Sequence, residues 1–209
     1  MQKHPPIPDF TEITPSAKIS RESHGWRAKC LQRLVRLDMP VPQTVALPAG
    51  MVRAIAAGQL VDCKGVLAHF GEGPLVSVRP SPANPDWGGP STVLNIGMNA
   101  ARHGDLVKTQ GQAAADALYL RFVRGFAVNV ARLDPDQFDI TKSDAEALRE
   151  ALRAYHDEMD EAFPEDPAVQ LSEVLRSMAR AWEGTSPGET GCRLPSPPAR
   201  GNADRVHYR

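Results

Sequence analysis

The chain has 209 residues, a hydrophobic fraction of 42%, a charged fraction of 23% and a formal net charge of −1. That length supports a real core in one large domain or two small subdomains. The near-zero charge excludes a global field that would gather nucleic acid or an anionic membrane. No run reaches the roughly 18 apolar residues of a membrane span, and residues 1–10 lack the apolar centre of a signal peptide. A soluble cytoplasmic protein is expected. Cys30, Cys63 and Cys192 are far apart, odd in number and without a C-x-x-C pair, so reduced thiols are expected rather than a disulfide framework.

Twelve of the nineteen prolines cluster, four each at residues 5–15, 80–90 and 187–198. The first and last clusters read as tails or loops, because proline removes a backbone donor and breaks helices. Leu31, Leu34 and Val35 stand at helical spacing and predict an amphipathic helix over residues 28–37, ended by Met39-Pro-Val-Pro-Gln43. Thr44-Val-Ala-Leu47 predicts a short strand, and Val52, Ile55, Ala56 and Leu60 a helix over 51–60. Leu75-Val-Ser-Val-Arg79, bounded by Gly73-Pro74 and Pro80, reads as a buried strand that delivers Arg79 at its end. After the loop 80–91, Thr92-Val-Leu-Asn-Ile-Gly97 is ambiguous between strand and helix.

From about Lys108 the pattern is helical, with Ala117, Leu120, Val123, Phe126 and Val130 on one face. Ser143 and Glu146 have the spacing of a capping box before a helix carrying Leu148, Leu152, Tyr155 and Met159. Asp166-Pro167 supplies a cap and a first-turn proline for the next helix, whose apolar side is Val174, Leu175, Met178 and Trp182. Residues 183–204 lack periodicity and read as a flexible loop or tail. The fold class is therefore α+β, a small mixed α/β front portion followed by a helical portion. Its divisions are a polar, proline-rich segment (1–24), a mixed α/β subdomain (25–107), a helical subdomain (108–182) and a Gly/Pro-rich loop with C-terminal segment (183–209).

Three stretches, in order, resemble the N-terminal region of pyruvate phosphate dikinases. Gly25-Trp-Arg-Ala-Lys-Cys-Leu31 followed by Leu37-Asp-Met-Pro-Val-Pro42 is similar to G-G-K-G-A-N-L and L-G-L-P-V-P. Leu75-Val-Ser-Val-Arg79 and Thr92-Val-Leu-Asn-Ile-Gly-Met-Asn99 are similar to L-V-S-V-R-S-G-A and T-V-L-N-L-G-L-N. Tyr119-Leu-Arg-Phe-Val-Arg-Gly-Phe126 resembles Y-R-R-F-I-Q-M-F. Phe163-Pro-Glu-Asp-Pro167, Gln170-Leu171 and Arg180-Ala-Trp182 resemble F-P-x-x-P, Q-L and R-S-W, and Arg205-Val-His-Tyr-Arg209 resembles R-A-I-V-Y-R.

The resemblance implies part of an ATP-grasp-like domain that binds ATP and Mg²⁺ and belongs to a phosphotransferase. It implies nucleotide contacts at Arg27, in the place of the family's phosphate-binding lysine, at Arg79, and at Gly88 and Gly89 in the loop Asp86-Trp-Gly-Gly-Pro-Ser91. Ser91 stands where the family has an aspartate. Arginine for lysine keeps the charge but exchanges a point charge for a planar fork. These residue types suit phosphate independently of any family: glycine lets backbone N–H groups approach closely, and arginine offers paired donors.

The carboxylates that hold magnesium in the family would lie beyond Arg209, and the family's phosphorylated histidine motif has no counterpart. Phosphotransfer by this chain alone is not expected, and no catalytic or metal-ligating residue is assigned. His69, His103 and His156 read as ordinary surface or partly buried side chains, and His4, His24 and His207 as lying in or near unstructured ends. Asp157-Glu-Met-Asp-Glu161 reads as a solvated helix face. The expected partners are a nucleotide and a separate catalytic half. The alternative is a non-catalytic remnant acting as a protein-interaction module, and exposed apolar surface would favour self-association. Neither nucleic acid nor membrane is expected as a partner.

Overall fold

The computed structural model describes residues 10–84, 89–138 and 145–185. It is a mixed α+β fold with two small antiparallel sheets. Residues 10–20, expected to form part of a tail, instead open the fold. Strand β1 (Thr11–Glu12) pairs with β2 (Val45–Ala46) in the register Thr11↔Ala46 and Glu12↔Val45. Ile13 and Ile19 are buried beside the pair. No hydrophobic period marks this stretch; it is held by side-chain bonds to its backbone. The fully buried Gln32 amide donates to Thr14 O at 3.2 Å and Ala17 O at 2.6 Å, and Lys29 Nζ donates to Ile19 O at 2.8 Å.

Helix α1 (Arg21–Arg36) starts upstream of residue 28 because Ser20 caps it, its hydroxyl accepting from Ser23 N at 3.1 Å. Gly25 interrupts it with φ 80° and ψ 174°. Its end is set by more than the following prolines. Asp38 takes a left-handed φ of 52°, Asp38 N donates to Val35 O at 3.1 Å, and Met39 N donates to Leu34 O at 3.0 Å. That pair of bonds is a Schellman ending, with aspartate where glycine is commoner.

Helix α2 (Ala49–Ala56) begins and ends a little earlier than its apolar pattern suggested. A helix absent from the sequence reading, α3 (Cys63–Ala68), follows; Asp62 Oδ1 caps it by accepting from Gly65 N at 3.0 Å. Its six residues are too few to display a period. Strand β3 (Val76–Val78) pairs antiparallel with β4 (Val93–Ile96), which resolves residues 92–97 as strand. Val76 faces Ile96 and Val78 faces Val93, so β4 carries an extra residue, a bulge that coincides with the left-handed Asn95. Gly97 follows with φ 104°, and a Cβ there would sit 2.5 Å from Pro74 O.

The rest is helical. Helix α4 (Ala100–Gln110) begins before residue 108, capped by Asn99, whose side chain accepts from Arg102 N at 2.8 Å. Helix α5 (Gln112–Asn129) follows, then a 3-10 turn (Pro135–Phe138), α6 (Ala145–Met159) and α7 (Pro167–Thr185). The Asp166 cap forms as expected, its Oδ1 accepting from Ala168 N at 2.8 Å. Ser143 of the expected capping box lies outside the described residues. Helix α7 runs past residue 182 to Thr185, into what was expected to be loop. No helix among the described residues is long and apolar enough to cross a membrane.

One main core takes side chains from both portions. Val93, Ile96 and Met98 meet Phe122, Val123 and Phe126 of α5 and Val174 of α7, all fully buried. Phe163 is its hub, with ring centroids 5.5 Å from Phe122, 5.3 Å from Phe126 and 5.1 Å from Tyr155. Gln170 pins the sheet to α7. Its Oε1 accepts from Gly97 N at 2.8 Å, and its Nε2 donates to Met98 O at 2.8 Å and Pro164 O at 2.6 Å. A second, smaller core of Ile13, Ile19, Ala28 and Ala46 sits under α1.

Candidate functional site

A cavity of about 520 Å³ opens between the start of α1, β2, α2, β3 with the strap that follows it, and α7. Its size is in the range of small-molecule sites. The interior is aliphatic and aromatic, with Val45, Leu47, Ile55, Val66 and Phe70 on one side and Met178 and Trp182 of α7 on another. Arg21, Arg27 and Arg79 are exposed side chains on its wall. Arg27 and Arg79, far apart in sequence, thus share one cavity.

Their neighbourhood is fixed by contacts between α1 and residues 80–83. Gly25 packs so closely on Ser81 that an added Cβ would stand 1.5 Å from Ser81 O, and its φ of 80° is one that side-chain-bearing residues rarely take. Ser81 Oγ donates to His24 O at 2.7 Å and accepts from Ala28 N at 3.0 Å. Trp26 N donates to Pro82 O at 2.7 Å. Arg27 Nε donates to Pro80 O at 3.0 Å, and Arg21 Nε to Ala83 O at 2.6 Å, with the Arg21 guanidinium 5.2 Å from the Trp26 ring centroid. These bonds use one nitrogen of each guanidinium. Among the described residues, no carboxylate forms an ion pair with Arg21, Arg27 or Arg79.

Of the loop glycines, Gly88 lies outside the described residues, and Gly89 is half-buried but does not line the cavity; Pro90 beside it does. The sequence reading missed His24. It was placed near an unstructured end, yet it is buried on the cavity wall. Its ring Nδ1 lies 2.7 Å from Ser23 Oγ, and burial holds its pKa below the ordinary histidine value. The signal available was Ser20 as a helix cap, which moves the helix start upstream and draws His24 into the fold.

Other polar groupings lie elsewhere. His103 Nε2 is 2.7 Å from Oδ1 of the buried Asp116, which also accepts from Gln112 Nε2 at 2.8 Å; this joins α4 to α5. Tyr119 OH donates to Glu165 Oε1 at 3.2 Å, while Glu165 Oε2 accepts from Ala100 N at 2.9 Å. Burial first, then the Glu165 charge, pushes the Tyr119 phenol up. A more open cavity of about 490 Å³ between α3 and α7 is lined by Asp62, Lys64, Ser172, Glu173 and Arg176. The acidic run 157–161 is exposed except for half-buried Met159.

The main cavity offers what a phosphate-bearing organic ligand requires, an apolar interior and guanidinium groups at the wall. Among the described residues, no group of three or more His, Cys, Asp or Glu side chains is placed to hold a metal ion. No protein-family model matches the chain, and no curated protein shows a significant match to it.

Proposed function

We propose that the chain is a nucleotide-binding module, part of an ATP-grasp-like domain related to the N-terminal region of pyruvate phosphate dikinase. The supporting observation is that Arg27 and Arg79, chosen by sequence resemblance, line the same cavity. In this reading the phosphates of ATP meet the two guanidinium groups. Arg27 is oriented by Pro80 O and keeps its terminal nitrogens for the ligand. The base enters the aliphatic interior, where burial of its faces supplies binding energy. Phosphoryl transfer needs a metal clamp and an acceptor supplied by a separate catalytic half; this chain's own residues bind and orient.

A thermal-shift titration tests it. ATP at about 100 times its dissociation constant is expected to add roughly 2.7 kcal/mol of stability. Arg79→Ala is expected to remove that gain while changing the unliganded protein by less than about 0.5 kcal/mol, as for an exposed side chain. No rise at millimolar ATP would overturn the proposal.

A second reading, self-association through a protein-interaction surface, is favoured by the apolar end of α1, where Leu37 is 70% and Met39 53% exposed. A concentration-dependent dimer in sedimentation, lost in Leu37→Lys/Met39→Lys, is the expected outcome; a monomer at tens of micromolar would reject it.

A further inference from the structure

The mouth of the main cavity carries a third cation that the two phosphate contacts leave unused. Arg21 is exposed and lines the same cavity as Arg27 and Arg79. The exposed Glu22 is the one carboxylate among the residues lining it. Three guanidinium groups against one carboxylate leave two positive charges in excess there. A cleft lined by one sign of charge over apolar walls focuses its field on an incoming anion. Arg21 also stands at the first position of α1, the positive end of the helix dipole, where acidic residues are the stabilising choice. A residue that breaks a local rule is where function is to be sought.

The side chain is held rather than free. Its Nε donates to Ala83 O at 2.6 Å, and its guanidinium lies 5.2 Å from the Trp26 ring centroid. Attraction to the ring consumes no N–H donor. The terminal nitrogens of Arg21 therefore stay open, with no partner among the described residues. Arg27 is anchored in the same way three residues earlier on the strap, its Nε on Pro80 O at 3.0 Å. Arg79 directly precedes the strap and has no hydrogen-bond partner among the described residues.

Arg79, Arg27 and Arg21 thus follow one another along residues 79–83. Two of the three are anchored through Nε, which leaves their terminal nitrogens to grip an oxyanion at two points. Stems fixed before the ligand arrives cost less ordering when it binds. A row of three such groups matches a linear chain of phosphates, one to each guanidinium, rather than one compact anion. We infer that Arg21 is a third phosphate-binding residue of this cavity and gives it a preference for three linked phosphates over two. That the phosphates belong to a nucleotide rests on the reading above; the phosphate chain can be tested apart from it.

Calorimetric titration of the full chain without divalent cations, with inorganic pyrophosphate, inorganic tripolyphosphate, ADP and ATP as probes, separates the two. At about 0.15 M salt, charges that do not touch the ligand are largely screened. The wild type is expected to bind tripolyphosphate about tenfold more tightly than pyrophosphate, the worth of one charge-assisted bond at an exposed site, and ATP more tightly than ADP by the same factor. Arg21→Gln is expected to lose both preferences while holding pyrophosphate and ADP as the wild type does. Arg21→Lys, a point charge without the two-point grip, is expected to keep only part of them. If Arg21→Gln weakened pyrophosphate and tripolyphosphate alike, Arg21 would only be fastening the strap through Ala83, and the inference would fail. A preference that survives Arg21→Gln, or none in the wild type, would overturn it too. Tripolyphosphate binding that depends on Arg21, with ATP no tighter than tripolyphosphate, would uphold Arg21 and overturn the nucleotide reading alone. Absence of binding by all four probes overturns both.

Discussion

The two cores of this molecule are built on opposite plans. The main core is a tight aromatic assembly: Phe163 touches the rings of Phe122, Phe126 and Tyr155, and polar bonds through Gln170 and Glu165 only flank it. The small core under α1 buries only Ile13, Ile19, Ala28 and Ala46. It relies on polar side chains reaching backbone carbonyls: Gln32 to Thr14 and Ala17, Lys29 to Ile19, Arg36 to Pro15. Area-driven burial gains from every methylene, whereas a net hydrogen bond contributes only about 1 kcal/mol. The difference places the ligand cavity at a seam. Its α7 wall belongs to the stronger core and its α1 wall to the weaker one, so opening is expected from the α1 side.

Substitutions can break or sharpen that contrast. Phe163→Ala removes the hub of the main core and is expected to cost about 3–5 kcal/mol by urea denaturation, with loss of the whole cooperative transition. A smaller effect is expected from Gln32→Leu, which removes two side-chain bonds to the half-buried residues Thr14 and Ala17, whose carbonyls keep their backbone partners, and costs about 1–2 kcal/mol. Hydrogen exchange should quicken in residues 10–20 while amides of α5 stay protected; equal loosening of both regions would dissolve the distinction between the cores. The smallest effect is electrostatic. The folded-state pKa of His24 is depressed, so unfolding takes up a proton at low pH. Stability is expected to be full above the unfolded value of about 6.5 and to fall as pH drops from there toward the depressed folded value. His24→Leu should flatten that slope in denaturation midpoints measured across pH.

Legibility in the sequence followed the length of the pattern. Helices α5, α6 and α7 repeat their apolar faces over several turns and were readable, as was the strand ending at Arg79. The small core was not, because Ile13 and Ile19 are isolated between prolines and polar residues and are held by Gln32 rather than by a periodic face. Helix α3 was too short, and residues 92–97 needed a partner strand to decide between alternatives. Arg27 and Arg79 were named by resemblance, but that they share a cavity depends on the contacts of Gly25 with Ser81. The burial of His24 depends on the Ser20 cap, a local signal outweighed by the polar composition around it.

The backbone stitching between α1 and residues 80–83 also makes the cavity mouth a reporter. Ala28 N–H is spent on Ser81 Oγ and Trp26 N–H on Pro82 O. Neither amide can meet solvent hydroxide until the strap detaches, and detachment would pull Arg27 and Arg79 apart. Deuterium uptake at these two positions therefore counts the fraction of time the mouth is unfastened. A ligand bridging the two guanidinium groups would slow both amides by the same factor, a spectroscopic clock for occupancy that needs no label on the ligand.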